Sequence, residues 1–262
     1  MKKKNTKENK LIIFIRIILL IIIICCSIYI IMWFIENQKN ANMLSKLTDE
    51  SVKDTISIQV PITDENGETE KTLEVMAYEL DFDKLFSVND GTVGWISVPN
   101  TSINYPVAKA NDNNFYLNHS FDKSKNTAGW IFADYRNSFN GQDKNIIIYG
   151  HNRMDTSMFA TLKNTQKSDW YNNENNKYLT FTTPDGVHVY ETFSVYTIPM
   201  ESYYITTDFS NDKSYLDFLN TLKSRSIHNF GVLLNSDDKI ITLSTCDATG
   251  KSRVVLHAKQ IL

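Results

Sequence analysis

The chain has 262 residues, 42% of them hydrophobic and 22% charged, with a net charge of -3, so it can bury a full core and is not a disordered polymer. Residues 1–35 hold six Lys or Arg and one Glu, which leaves 21 basic against 29 acidic residues in the rest. That mildly acidic remainder, with its Lys scattered among Asp and Asn, has no basic, aromatic-interleaved face, and nucleic-acid binding is excluded.

Residues 11–35, LIIFIRIILLIIIICCSIYIIMWFI, are apolar except for Arg16, Ser27 and Tyr29. At ~1.5 Å per helical residue they span a hydrocarbon core of ~30 Å, so the reading is a single-pass membrane anchor. The Lys-rich residues 1–10 form a cytoplasmic tail, Arg16 snorkels toward the headgroups, and Tyr29 and Trp33 suit the far interface. A cleaved signal peptide would have a shorter core ending in small residues, whereas this run ends in Met, Trp, Phe and Ile. The rest of the chain is then expected outside the cell. Cys25 and Cys26 read as small apolar fillers of the helix.

Residues 36–90 form an extracytoplasmic extension. Its first part, 36–55, is polar with spaced Met, Leu and Val and suits a helix or stalk. ISIQVPITDENGETEKTLEVMAY fits either a hairpin about ENG or an irregular excursion, and YELDFDKLFSVN has helical spacing at Leu80, Leu85 and Phe86.

Residues 91–262 form the main domain, and from Gly94 the pattern changes to eight short strands: GWISV, INYPVA, GWIFAD, NIIIYG, YLTFTT, VHVYETFSVYTI, KIITLS and RVVLHAKQI. PNTS, TPDG and DATGKS supply turn chemistry, and TSMFATLKN reads as a short helix with Thr156 or Ser157 near its cap. Many short strands favour a barrel or sandwich. Between the sixth and seventh strands, residues 199–230 form a long insertion whose Tyr215, Phe218, Leu219 and Leu222 make a helical stripe.

Cys246 is the one cysteine outside the anchor, and it ends a strand. In an exported domain, where thiols normally pair, such a residue is an inert buried group, an intermolecular crosslink or a nucleophile. Arg253 opens the strand after the next turn, so a hairpin returns it beside Cys246. A guanidinium keeps its proton at working pH, which restricts it to holding a carbonyl, an oxyanion or the substrate. Of the five histidines, His151 alone stands where an apolar strand breaks into a loop; His188 and His257 lie inside strands as packing residues, and His119 and His228 read as surface residues. No His or Cys pair has metal-ligand spacing, so neither metal nor cofactor is expected.

TLSTC at a strand end, an Arg seven residues later and a YGH strand end upstream resemble the sortase family of Gram-positive bacteria, from about Gly94 to the C-terminus, with GWISVPNTSINYPV as the opening strand pair. The long helix-containing insertion and the N-terminal extension are similar to class B; class A is the nearer rival within the family. The resemblance implies an eight-stranded β-barrel and a cysteine transpeptidase in which Cys246 attacks the carbonyl after Thr in a sorting motif of the form N/S-P-x-T-G/N. A thioester forms, and a peptidoglycan amine resolves it, which fixes an exported protein to the wall without nucleotide. His151 would serve as general acid and then base, and Arg253 would hold the substrate and its oxyanion. NDNNFYLNH resembles the family's groove segment, which implies substrate contacts at Asn113 and Leu117; SYYITTDF implies Tyr204 and Ile205 on the insertion, and Ser244 lies near the nucleophile. For Leu117, Tyr204 and Ile205 ordinary core packing is the competing reading.

Two other classes compete. A hydrolytic cysteine endopeptidase shares the thiol and the imidazole, but papain-like enzymes place Cys before His, the reverse of His151 and Cys246. A wall-associated adhesion domain needs no unpaired Cys beside an Arg.

Overall fold

A computed structural model describes the backbone over residues 3–63, 69–246 and 251–262, and side chains over 10–62, 71–245 and 251–262. The expected turn residues Glu65–Gly67 and Asp247–Gly250, and the Cys246 side chain, lie outside the described residues. The chain divides into two compact units, residues 1–43 and 44–262.

Helix α1 runs over Lys3–Ser51. Its stretch Lys10–Ser51 contains a window of mean hydropathy 3.3, none of it buried, which makes it long and apolar enough to cross a membrane.

In the second unit, β1 (Val52–Thr63) and β2 (Thr69–Leu80) pair antiparallel, which selects the hairpin over the irregular excursion. Ile56, Ile58, Val60 and Ile62 alternate with Ser57, Gln59 and Pro61, a period-two pattern that gives the ribbon one apolar face. Val60 and Val75 bury that face against Tyr178 and Val189. Full burial of a Val contributes about 1.5–3 kcal/mol.

Helix α2 (Phe82–Val88) follows, with the Asp81 carboxylate accepting from Lys84 N. Leu80 therefore departs from the helical expectation: it is the last residue of β2, paired with Val52, because Asp81 stops the strand and caps the helix. Leu85 is the buried residue of α2, and Phe86 is exposed.

The eight expected strands are all present: β3 (Thr92–Ser97), β4 (Asn104–Lys109), β5 (Phe132–Ala133), β6 (Asn145–Gly150), β7 (Tyr178–Thr183), β8 (Gly186–Pro199), β9 (Ile240–Cys246) and β10 (Ser252–Gln260). They close a barrel in the order β10-β8-β7-β3-β4-β5-β6-β9. Pairs β4–β5 and β6–β9 are parallel; the others are antiparallel. Trp95, Trp130, Ile147, Leu243 and Leu256 fill the core, and each indole N–H has a partner, Asn104 Oδ1 for Trp95 and the Pro106 carbonyl for Trp130.

The short helix expected near Thr156 or Ser157 begins later. Thr156 and Met158 have φ of 63° and 55°, outside helical space, and a 3-10 helix starts at Ala160 and runs to Gln166. Helix α3 (Ser168–Tyr171) follows it. The insertion between β8 and β9 carries α4 (Asp212–Ser224), opened by a capping box of Asn211 and Ser214. Its stripe is the expected one: Tyr215, Leu219 and Leu222 are buried against Phe193, Tyr196 and Val255, with Phe218 partly covered. His119 and His228 are half-buried rather than surface residues, each stacked on an aromatic ring, Phe115 and Tyr171.

Candidate active site

Three neighbouring strands end at one mouth of the barrel. Gly150 closes β6 opposite Thr245 of β9, so His151 and Cys246 are the next residues along this parallel pair. On the other side of β9, Cys246 is directly paired with Arg253 of β10. With strands ~4.8 Å apart, the Cys246 backbone lies between those of His151 and Arg253.

A cleft of about 460 Å³ opens there. Of the residues expected from the sequence, it gathers His151, Arg253 and Ser244 with Asn113, Leu117, Tyr204 and Ile205. Cys246 is located by backbone alone. The competing core reading holds in part for Tyr204, which is buried yet lines the cleft, whereas Leu117 is exposed and Ile205 half-buried.

His151 is oriented by a contact that the sequence did not signal. Its Nε2 lies 2.8 Å from the Leu117 carbonyl. A carbonyl only accepts, so Nε2 carries hydrogen and the lone pair of the neutral ring is on Nδ1. The loop after His151 is tied back on itself by Phe159 N donating to His151 O and by a bridge between Asn152 and Met158. Two glycines make room: a Cβ on Gly150 would stand 2.6 Å from the Phe159 ring, and one on Gly129, where φ is +64°, would stand 2.8 Å from His151 Cδ2 and 2.9 Å from Leu117 O. The turn that presents Leu117 is set by Asp112 Oδ1, which accepts from Asn114 N and Phe115 N. That Asp-x-Asn turn chemistry was the available clue.

The floor and side wall are polar beneath their apolar surface. Tyr204 OH and Ser244 Oγ are 2.9 Å apart. Asn113 donates Nδ2 to Asp134 Oδ2 at 3.0 Å and accepts Tyr135 N at 3.0 Å. Asp134, fully buried, also accepts from both Nε and Nη2 of Arg136 and from Tyr149 OH. Burial pushes this carboxyl up, but the Arg136, Tyr149 and Asn113 donors outweigh it and hold it below the usual range. Burial, then the Asp134 charge, pushes the Tyr149 phenol far up, so it stays a donor. Arg253 donates Nη1 to Ser252 O at 3.0 Å.

A family model for the sortase domain matches residues 96–261. The chain belongs to the sortase family. Sortase B of Listeria monocytogenes is 36% identical over 88% of this chain and 88% of its own length, and that of Staphylococcus aureus 38% identical over 69% and 74%. A sortase B structure from Bacillus anthracis superposes with a TM-score of 0.71 at 32% identity, covering 87% of this chain and 99% of the other. A Staphylococcus aureus sortase B–substrate complex gives 0.64 at 38% identity over 69% and 84%. A sortase B complexed with triglycine gives 0.65 at 37% identity over 69% and 85%. This sortase is of class B, a cysteine transpeptidase of the kind that anchors proteins to the cell wall.

Proposed function

We propose that the cleft binds a C-terminal sorting motif of the N/S-P-x-T-G/N type on exported proteins and that Cys246, His151 and Arg253 process it. Cys246 Sγ attacks the Thr carbonyl carbon as a thiolate. The C–N bond breaks, the imidazolium of His151 gives its proton to the departing amine, and an acyl thioester remains. A peptidoglycan amine then attacks the same carbon and gives its proton to His151, and the thiolate leaves. Arg253 holds the oxyanion in both steps. Asn113, Leu117, Tyr204, Ile205 and Ser244 form the groove for the peptide.

The observation that carries this reading is the strand order β6-β9-β10, which sets Cys246 in backbone register between the strand ends that supply His151 and Arg253. The substrate and triglycine complexes of similar proteins support a peptide donor and an amine acceptor for this chain. The apolar α1 supports an anchor at residues 11–35, with residues 1–10 cytoplasmic and the extension and barrel, 36–90 and 91–262, outside.

The test uses the full chain in detergent with a fluorogenic Asn/Ser-Pro-x-Thr-Gly/Asn library, with and without triglycine. Amine-dependent ligation product and an adduct at Cys246 are expected; hydrolysis indifferent to triglycine would assign the endopeptidase reading instead, and the absence of any adduct the adhesion reading.

A further inference from the structure

Among the described residues, no strand includes the turn that carries Tyr204 and Ile205. It is one 3-10 turn, Tyr203–Ile205, beyond the end of β8. Three successive carbonyls, those of Tyr204, Ile205 and Thr206, are held by the side chains of Asn145, on β6, and Arg136, in the loop before it. Asn145 Nδ2 donates to Tyr204 O at 3.3 Å and to Thr206 O at 3.0 Å, and Arg136 Nη2 donates to Ile205 O at 2.9 Å.

Both donors are themselves fixed. Arg136 grips the buried Asp134 through Nε at 2.8 Å and Nη2 at 2.7 Å, which leaves the second Nη2 hydrogen for Ile205. Asn145 Oδ1 accepts from Thr242 Oγ1 at 2.7 Å. That hydroxyl has no second hydrogen, so its 2.9 Å contact with His257 requires Nδ1 to donate. His257 Nε2 then accepts from Tyr196 OH at 2.9 Å, and Tyr196 accepts from Tyr203 OH at 3.0 Å. For the neutral ring that burial of His257 favours, the donor sequence has one solution, and it starts and ends on the same turn.

We infer that Arg136 and Asn145 are positioning residues for the sorting peptide: together they set where Tyr204 and Ile205 stand relative to Asn113 and Tyr149, which hang from the same Asp134. The inference rests on the cleft being the peptide site. Asn113, Tyr149 and Ile205 come from three separate segments, and the Asp134–Arg136 pair is bonded to all of them. A planar fork is needed for this double duty, and a lysine ammonium lacks it.

Two variants test the clamp in the full chain. Arg136→Lys keeps the charge beside Asp134, and Asn145→Ala removes the other arm. Hydrogen exchange is expected to rise in peptides covering residues 203–207 while the rest of the barrel is unchanged. Against Asn-Pro-Ala-Thr-Gly and its single alanine replacements, kcat/KM normalised to Cys246 labelled by a thiol probe is expected to lose discrimination by roughly three- to tenfold, the worth of one hydrogen bond. A loss of folded protein alone would scale every peptide by one factor, and that result, or unchanged exchange at 203–207, overturns the inference. If the unaltered chain turned over none of the peptides, the reading of the cleft would fail, and exchange would still decide whether the clamp holds the turn.

Discussion

Replacing Gly129 by Ala separates the orientation of His151 from the stability of the barrel. The backbone at Gly129 has φ of +64°, where an L side chain costs roughly 1–2 kcal/mol. The new methyl would also meet Tyr116 O at 2.6 Å, Leu117 O at 2.9 Å and His151 Cδ2 at 2.8 Å. Two of these are backbone carbonyls inside a tight turn, so the imidazole is the group that yields, and its 2.8 Å bond to Leu117 O is lost. That bond contributes about 0.5–1.5 kcal/mol, and displacing an acid–base group by ~1 Å costs up to ~100-fold in rate. The expected outcome is a stability loss of about 2–3 kcal/mol together with a ~10- to 100-fold fall in kcat per folded molecule. Gly141→Ala is the control: φ is +79° there, but no atom of the described residues lies within 4 Å of the added carbon. It should show the strain in denaturant unfolding and keep full peptide turnover. Equal specific activities for the two variants would refute the argument that Gly129 exists to seat His151.

Cys246→Ala should abolish adduct and product, and His151→Ala should lower kcat/KM by ~10²–10⁴-fold, as measured by steady-state ligation with triglycine. Arg253→Lys keeps the charge but loses the planar fork, and a ~100-fold fall in kcat is expected in the same assay. Burial lowers the pKa of His257 from 6.5 to about 3, so the unfolded chain binds one proton more between those values and stability falls as pH drops through that window. Urea unfolding at pH 6.0 and 4.5 should therefore show a loss of about 1.4 kcal/mol per pH unit that His257→Gln removes; parallel pH profiles would contradict it. Tyr204→Phe and Ser244→Ala each break the 2.9 Å hydroxyl pair at about 1 kcal/mol, and the double variant should cost little more than either alone in a thermodynamic cycle.

Local patterns made much of this legible. Alternation and turn residues marked all eight barrel strands, the stripe at Tyr215, Leu219 and Leu222 marked α4, and the strand ends at Gly150 and Cys246 marked the mouth of the barrel. Leu80 misled because its spacing to Leu85 fits a helix as well as a strand end, and only Asp81 as a cap separates the two. Thr156 looked like a cap by residue type, yet the need to fold residues 151–159 back onto His151 places Thr156 and Met158 in left-handed backbone. The Leu117 carbonyl, the Asp134–Arg136 pair and Asn145 left no trace in periodicity, since each acts through partners distant in the chain.

The position of Cys246 depends on one parallel pairing between segments far apart in sequence, and the core fixes its register. Ile241 and Leu243 alternate along β9 with Thr242 and Ser244, and all four are buried. A slip of one residue between β6 and β9 would exchange these two sets. Thr242 would leave Asn145 and His257 without their partner in the core, and Ser244 would lose Tyr204. Each buried polar group left unpaired costs about 1–3 kcal/mol, so the shifted register is disfavoured several times over. The pairing that remains sets Thr245 opposite Gly150 and brings the next residues, Cys246 and His151, to the same barrel mouth. The spacing of the reactive pair is thus inherited from the polar face of β9, which runs from buried Thr242 up to Ser244 on the cleft floor, so a substitution at Thr242 should disturb catalysis without touching substrate.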